Sequence, residues 1–267
     1  MLHDCLLHGV GCIGLLVLGM TLLTGCGPRY QITETRTPLT IGSTTIDVVV
    51  FEAEAPGLTF INLHDNEDTS AQAALKVMEQ QGGRLIELQH TGERNVEFML
   101  DDSTYIFDPN RIFTDIGVAA TLDTLGAYSD SAHALVRQFG ERLVELYELN
   151  NLDVVVTVHN NGETEYSALS YTPGGDYAED ASAANVVEGS DPDDFFFVTD
   201  EALYDTIRQS EHNVVLQDNA RVTDDGSLSV YCGHLGIAYV NVEAQHGHMD
   251  EQVHMIEYLR SVLRPAS

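Results

Sequence analysis

Apolar positions along this chain fall into short runs separated by stretches of helical period. Residues 44–52 contain Ile46-Asp47-Val48-Val49-Val50-Phe51, a strand pattern. Residues 58–63, Leu-Thr-Phe-Ile-Asn-Leu, read as a buried strand, and a helix follows from 69 to about 81 with Ala74, Leu75 and Met78 on one face. Gly82-Gly83 stops that helix. A further strand covers 84–89, and short strands at 95–100 and 104–107 flank the turn Asp101-Asp102-Ser103. The spacing of Leu135, Val136, Phe139, Leu143, Leu146 and Tyr147 predicts a long helix over 129–149. The nearly continuous β-branched run at 152–158 suits a central strand buried on both faces. Residues 160–194, rich in Gly, Asp, Ser and Ala, hold no strong period and predict a binding loop or lid. Strand patterns return at 195–199, 213–216 and 236–242, with helices over 201–210 and 251–263. Strands alternating with helices, without an internal repeat, predict an α/β fold: one three-layer domain whose mixed, largely parallel central sheet is flanked by helices.

The first residues change the domain picture. Residues 9–23 are almost wholly apolar, too few for a comfortable membrane span, and end in Leu23-Thr24-Gly25-Cys26. That run resembles a bacterial lipobox, in which the cysteine becomes lipidated and N-terminal. The expected organisation is a lipoprotein signal peptide over 1–25, a Thr-rich tether over 26–43 and the single α/β domain over 44–267. A lipid anchor on Cys26 would hold the protein to a membrane at the extracytoplasmic face of the bacterial envelope. Once residues 1–25 are removed, Cys26 and Cys232 are the cysteines that remain, and an acylated Cys26 cannot pair, so no intramolecular disulfide is expected.

Forty-two acidic residues face 12 basic ones, Lys76 being the one lysine, for a net charge of −30 at pH 7. Such a surface repels nucleic acid and excludes it as a partner. The acids are scattered, which points to solvent adaptation rather than to a cation-binding block.

Chemistry gathers just past the ends of strand patterns. These positions hold His64 with Glu67, Asn110-Arg111, His159 and Glu243. In open α/β sheets ligands bind beyond the carboxyl ends of strands, so residues far apart in sequence can converge there. His64, Glu67 and His159 would make a two-histidine, one-carboxylate metal site with an open position, the pattern of catalytic zinc. Glu243 suits a general base. Arg111 can grip a carboxylate in a bidentate fork, and Arg94 lies 17 residues upstream of it. His246, His248 and His254 form a rival metal group.

In this order the residues resemble the zinc carboxypeptidase superfamily, including its succinylglutamate desuccinylase and aspartoacylase branch. Asp108-Pro109-Asn110-Arg111 is similar to that branch's Asp-x-Asn-Arg signature. The resemblance implies one Zn2+ on His64, Glu67 and His159. It also implies a substrate carboxylate on Asn110 and Arg111, an oxyanion facing Arg94, and Glu243 as base. The superfamily's peptidases carry a tyrosine in a mobile loop, for which Tyr204 and Tyr231 are the candidates. The expected activity is hydrolysis of an amide bond beside a carboxylate-bearing group, in peptides or peptidoglycan stems. The alternatives are a deacylase of small acylated amino acids and a non-catalytic binding module.

Overall fold

The computed structural model describes residues 29–163 and 166–263; the expected signal peptide over 1–25 and Cys26 lie outside them. Its centre is strand β7, Val154–Asn161, whose side chains alternate between the two cores. On one side of β7 lies β3 (Thr59–Asn62), parallel to it, followed by the parallel β4 (Arg84–Gln89). On the other lies β11 (Ala238–Gln245), also parallel, in register from Ala238 opposite Val154 to Gln245 opposite Asn161. These four strands form the parallel heart of a nine-stranded mixed sheet. The antiparallel pair β1 (Ile32–Ile41) and β2 (Thr44–Ala53) extends it beyond β4. Strands β9 (Phe195–Val198), β10 (Asn213–Gln217) and β8 (Ala181–Asn185) extend it beyond β11. A separate hairpin pairs β5 (Val96–Leu100) with β6 (Ser103–Phe107).

Helices cover both faces. Helices α1 (Asp68–Gln81), α4 (Glu201–Ile207) and α6 (Met249–Leu263) bury Ala74, Met78, Ile207, Ile256 and Leu259 against one face with Phe60, Val156 and Val240. Helices α2 (Asp115–Leu125), α3 (Asp130–Leu146) and α5 (Leu228–Leu235), with the hairpin, bury Val118, Phe139, Leu143 and Leu228 against the other. No described helix is long and apolar enough to cross a membrane.

Several sequence expectations need correction. Most of the expected tether is strand β1, paired residue for residue with β2 from Ile32 opposite Ala53 to Ile41 opposite Thr44. It is an edge strand with both faces largely exposed, so no apolar alternation marks it. The segment 160–194 is not structureless: it contributes the edge strand β8. Helices α2 and α5 carry little polar contrast around their circumference and give no period to read.

Candidate metal centre and its cavity

The carboxyl ends of β3, β7 and β11 meet at one cavity of about 770 Å3. Past the end of β3 the chain turns sharply, with Glu67 N donating to His64 O (3.1 Å), and this brings the two side chains together. Asn62 staples the turn: its Oδ1 accepts from His64 N (3.1 Å) and its Nδ2 donates to Ser70 Oγ (2.7 Å). Strand β7 delivers His159 from the facing position. The result is a buried trio: His64 Nδ1 lies 2.7 Å from Glu67 Oε1, His159 Nδ1 lies 2.7 Å from Glu67 Oε2, and the two Nδ1 atoms are 3.2 Å apart. Their ligand atoms all lie within 4.8 Å of one another.

The donor set fits a divalent cation. His64 Nε2 donates to Asp108 Oδ1 (2.8 Å), so a neutral His64 carries its hydrogen there and turns a lone pair at Nδ1 toward the Glu67 carboxylate. Lone pair against carboxylate is repulsive unless a proton or a metal ion lies between them. An imidazole held by an outer carboxylate is the usual way a metal-ligating histidine is oriented. Burial opposes a charge on His64, yet the carboxylates of Glu67 and Asp108 outweigh it and lift its pKa to about 9. Burial likewise opposes charge on Glu67 and Asp108. The imidazoles hold Glu67 well below the usual range, and His64 with the nearby arginines does the same for Asp108. His159 is pushed down by its burial, helped by the charges of His64 and Arg94 and opposed by the Glu67 carboxylate.

A hydrogen-bonded frame fixes these groups. Asn160 N donates to Glu67 Oε2 (3.1 Å), while the Asn160 side chain accepts from Ser70 N and donates to Ala244 O and Gln252 Oε1. Gln252 Nε2, fully buried on α6, donates to His159 O (2.9 Å) and Val242 O (3.1 Å). Asp65 Oδ2 accepts from the backbone of His90 and Gly92 and anchors the loop leading to Arg94.

Glu243 stands opposite His159 in the register of β11 and β7, 5% exposed. Tyr239, Asn241 and Glu243 share one face of β11, with Thr157 beside them on β7. Thr157 Oγ1 bonds Tyr239 OH (2.7 Å) and Asn241 Oδ1 (3.2 Å), and Asn241 Nδ2 donates to Glu243 Oε2 (2.7 Å). Burial, reinforced by the charge of Glu67, raises the Glu243 carboxyl to about 8. A carboxyl poised near neutrality is suited to passing protons in both directions.

Arg94 borders the cavity, but its guanidinium spans Glu67 Oε1 (2.7 Å) and Asp108 Oδ2 (3.3 Å). It must release Glu67 before it can face an oxyanion. Arg111 also lines the cavity, with Nη1 donating to Asn110 O (2.8 Å) and 3.5 Å from Asp225 Oδ2. Asn110 accepts at Oδ1 from Leu228 N (3.0 Å), tying the start of α5 to the Arg111 segment.

The structure thus brings His64, Glu67, His159, Glu243, Arg94, Asn110 and Arg111 to one cavity. It does not bring the expected tyrosines there. Tyr204 packs in the core of the opposite face, and Tyr231 rests against Phe113. The cavity tyrosines are instead Tyr239 and, from the long 160–194 segment, Tyr166, Tyr171 and Tyr177, with Tyr166 and Tyr171 sharing a hydrogen bond of 2.7 Å between hydroxyls. Three tyrosines within 12 positions of an otherwise small, polar stretch are the signal that marks them. Among the described residues His246, His248 and His254 do not form a metal group; His248 pairs with Asp194 (3.0 Å). Asp108, as the outer partner of His64, has no distinguishing mark in sequence beyond its neighbours Asn110 and Arg111.

No protein-family model matches the chain, and no curated protein matches it. Among solved structures it is similar to the murein-tripeptide amidase from Escherichia coli O157, at 12% identity and a TM-score of 0.40, over 83% of this chain and 88% of that one. It is also similar to an aspartoacylase family protein from Mesorhizobium loti, at 15% identity and a TM-score of 0.41, over 90% of this chain and 72% of that one.

Proposed function

We propose that this protein is a zinc-dependent hydrolase that cleaves an amide bond beside a carboxylate-bearing group. The observation that carries the proposal is the buried His64–Glu67–His159 trio with Glu243 one strand away in the same cavity. His64 and His159 through Nδ1 and Glu67 through its carboxylate would hold the zinc. Bound there, the ion supplies Lewis acidity to water and to a carbonyl.

The chain's own groups account for the rest. Glu243 accepts a proton from the attacking water as its oxygen bonds to the carbonyl carbon, then hands that proton to the amide nitrogen as the C–N bond breaks. Buried and pushed up to about 8, Glu243 is basic enough for the first transfer and acidic enough for the second. Arg111, with Asn110 beside it, receives the substrate carboxylate. Arg94, once free of Glu67, stabilises the developing oxyanion as a preorganised positive charge. Peptides or peptidoglycan stems as substrates, and a lipid anchor on Cys26 at the cell envelope, belong to the same proposal and rest on the sequence.

Metal analysis tests the foundation. The purified protein should carry about one zinc per chain, and His64→Ala should lose it. Unchanged metal content in that variant would overturn the ligand assignment.

A further inference from the structure

Glu243 is held from behind by a line of side chains on β7 and β11. Tyr239, Asn241 and Glu243 alternate along one face of β11, and Thr157 on β7 stands opposite Asn241 in the parallel register. All four are buried, Thr157 completely. Their hydrogen bonds run in one direction. Thr157 Oγ1 donates to Asn241 Oδ1 (3.2 Å), so its single proton is committed there and it accepts from Tyr239 OH (2.7 Å). Asn241 Nδ2 then donates to Glu243 Oε2 (2.7 Å). The amide has one workable orientation: turned over, it would set Oδ1 against the ionised Glu243 carboxylate, acceptor against acceptor.

The line distinguishes the two oxygens of Glu243. Oε2 is engaged by the Asn241 amide. Oε1 has no partner among the described residues and, on a side chain that lines the cavity, is the oxygen left to meet water or substrate. The terminal torsion of a glutamate is broad, so its carboxylate turns freely unless something stops it. A bond that fixes one oxygen of a buried carboxylate fixes the place of the other. Here the fixed carboxylate stands opposite His159, on the side of the sheet that carries the metal trio. Thr157 does not reach the cavity, so it acts on Glu243 through Asn241.

We infer that Asn241, braced by Thr157 and Tyr239, is the positioning residue of Glu243: its amide holds Oε2 and thereby presents Oε1 to the reacting water. The inference rests on the reading of Glu243 as the base, and it makes Asn241 a positioning residue rather than a catalytic one. Removing the amide should therefore lower turnover and leave metal and substrate binding in place. A misplacement of about 1 Å in such a group costs up to about 10²-fold in rate.

The test compares Asn241→Leu, Asn241→Asp, Thr157→Val and Thr157→Ser in the full zinc-loaded chain, with a panel of N-acetyl amino acids as substrates. Asn241→Leu keeps the bulk and removes the amide; kcat should fall about 10- to 100-fold, with KM changed by less than about twofold and about one zinc per chain. Asn241→Asp keeps the oxygen that accepts from Thr157 and sets a second carboxylate against Glu243, so kcat should fall at least as far. Thr157→Val should lower kcat about tenfold, and Thr157→Ser, which returns the hydroxyl, should recover most of that loss. Crystal structures of the metal-free parent and of Asn241→Leu give a readout apart from turnover. Glu243 should hold one orientation in the parent, with Oε2 on Asn241, and turn or split between orientations in the variant. Parental kcat in both Asn241 variants, a fall confined to KM, loss of zinc together with kcat, or an unmoved Glu243 in the variant crystal would overturn the inference. No turnover by the parent, with Glu243 displaced in Asn241→Leu, would sink the hydrolase reading and leave Asn241 as the residue that orients Glu243.

Discussion

Gly117→Ala is a sharp probe of how the Arg111 side of the cavity is held. Gly117 lies in the first turn of α2, where the helix backbone crosses the loop that leads into α5. A Cβ there would sit 2.2 Å from Gly226 Cα and 2.7 Å from Arg111 O. Both neighbours are backbone, so no side-chain rotation can relieve the contact. An ordinary carbon–carbon contact is about 3.5–4.0 Å, so the two segments must part by more than about 1 Å. Phe113 N donates to Gly226 O (3.0 Å) and Asn110 Oδ1 accepts from Leu228 N (3.0 Å), so the strain passes directly to the segment that carries Arg111. Overpacking of this kind costs about 1–3 kcal/mol, against which alanine returns about 1 kcal/mol of helix propensity. The expected net loss is up to about 2 kcal/mol, read from the midpoint of urea unfolding at constant slope. The KM for a carboxylate-bearing substrate should rise about tenfold or more, because a misplacement of about 1 Å in a positioning group costs up to about 10²-fold. A variant as stable as the parent, with unchanged KM, would refute the claim that this backbone crossing sets the place of Arg111.

Further outcomes follow from the same geometry. Asp108→Asn removes the carboxylate that orients His64 through Nε2, and zinc affinity measured against a chromogenic chelator should fall about 10–100-fold. Asn160→Ala strips three hydrogen bonds, to Ser70, Ala244 and Gln252, and chemical unfolding should register a loss of about 2–4 kcal/mol. In the metal-free protein Glu243 is raised from 4.5 to about 8 and His64 from 6.5 to about 9. A raised folded pKa stabilises below the unfolded value and loses that contribution as pH climbs through the folded one, so the metal-free melting temperature should fall between about pH 5 and pH 9. Glu243→Gln should confine the fall to the upper part of that window. Melting that is flat across it would contradict the assignment of both groups.

Much of the fold was legible because its parallel centre is written in residues 58–63 and 152–158, whose apolar runs have no other good home than a buried strand. The candidate site was legible for a related reason: polar residues immediately after such strands must gather at one edge of the sheet, and His64, Glu67, His159 and Glu243 do so. What escaped the sequence escaped for physical reasons. Strand β1 is exposed on both faces, so nothing in its Thr-rich composition separates it from a tether. Tyr166, Tyr171 and Tyr177 sit on a segment without period, and their place depends on its packing over Phe195 and Phe197. Asp108 works through a single hydrogen bond to a residue 44 positions away, a relation that only the packed chain reveals. Asn241 resembles any polar residue within a strand until its amide is seen between Thr157 and Glu243.

The central claim is that Glu243 moves protons beside a metal it does not hold. Glu243→Gln keeps the shape of the side chain and removes its basicity. Zinc content and hydrolysis of an N-acyl amino acid panel, measured together on this variant, test the claim most directly. The account predicts about one zinc per chain, as in the parent, with the rate lowered about 10²–10⁴-fold. Parental activity in the variant, or loss of the metal along with the activity, would contradict it.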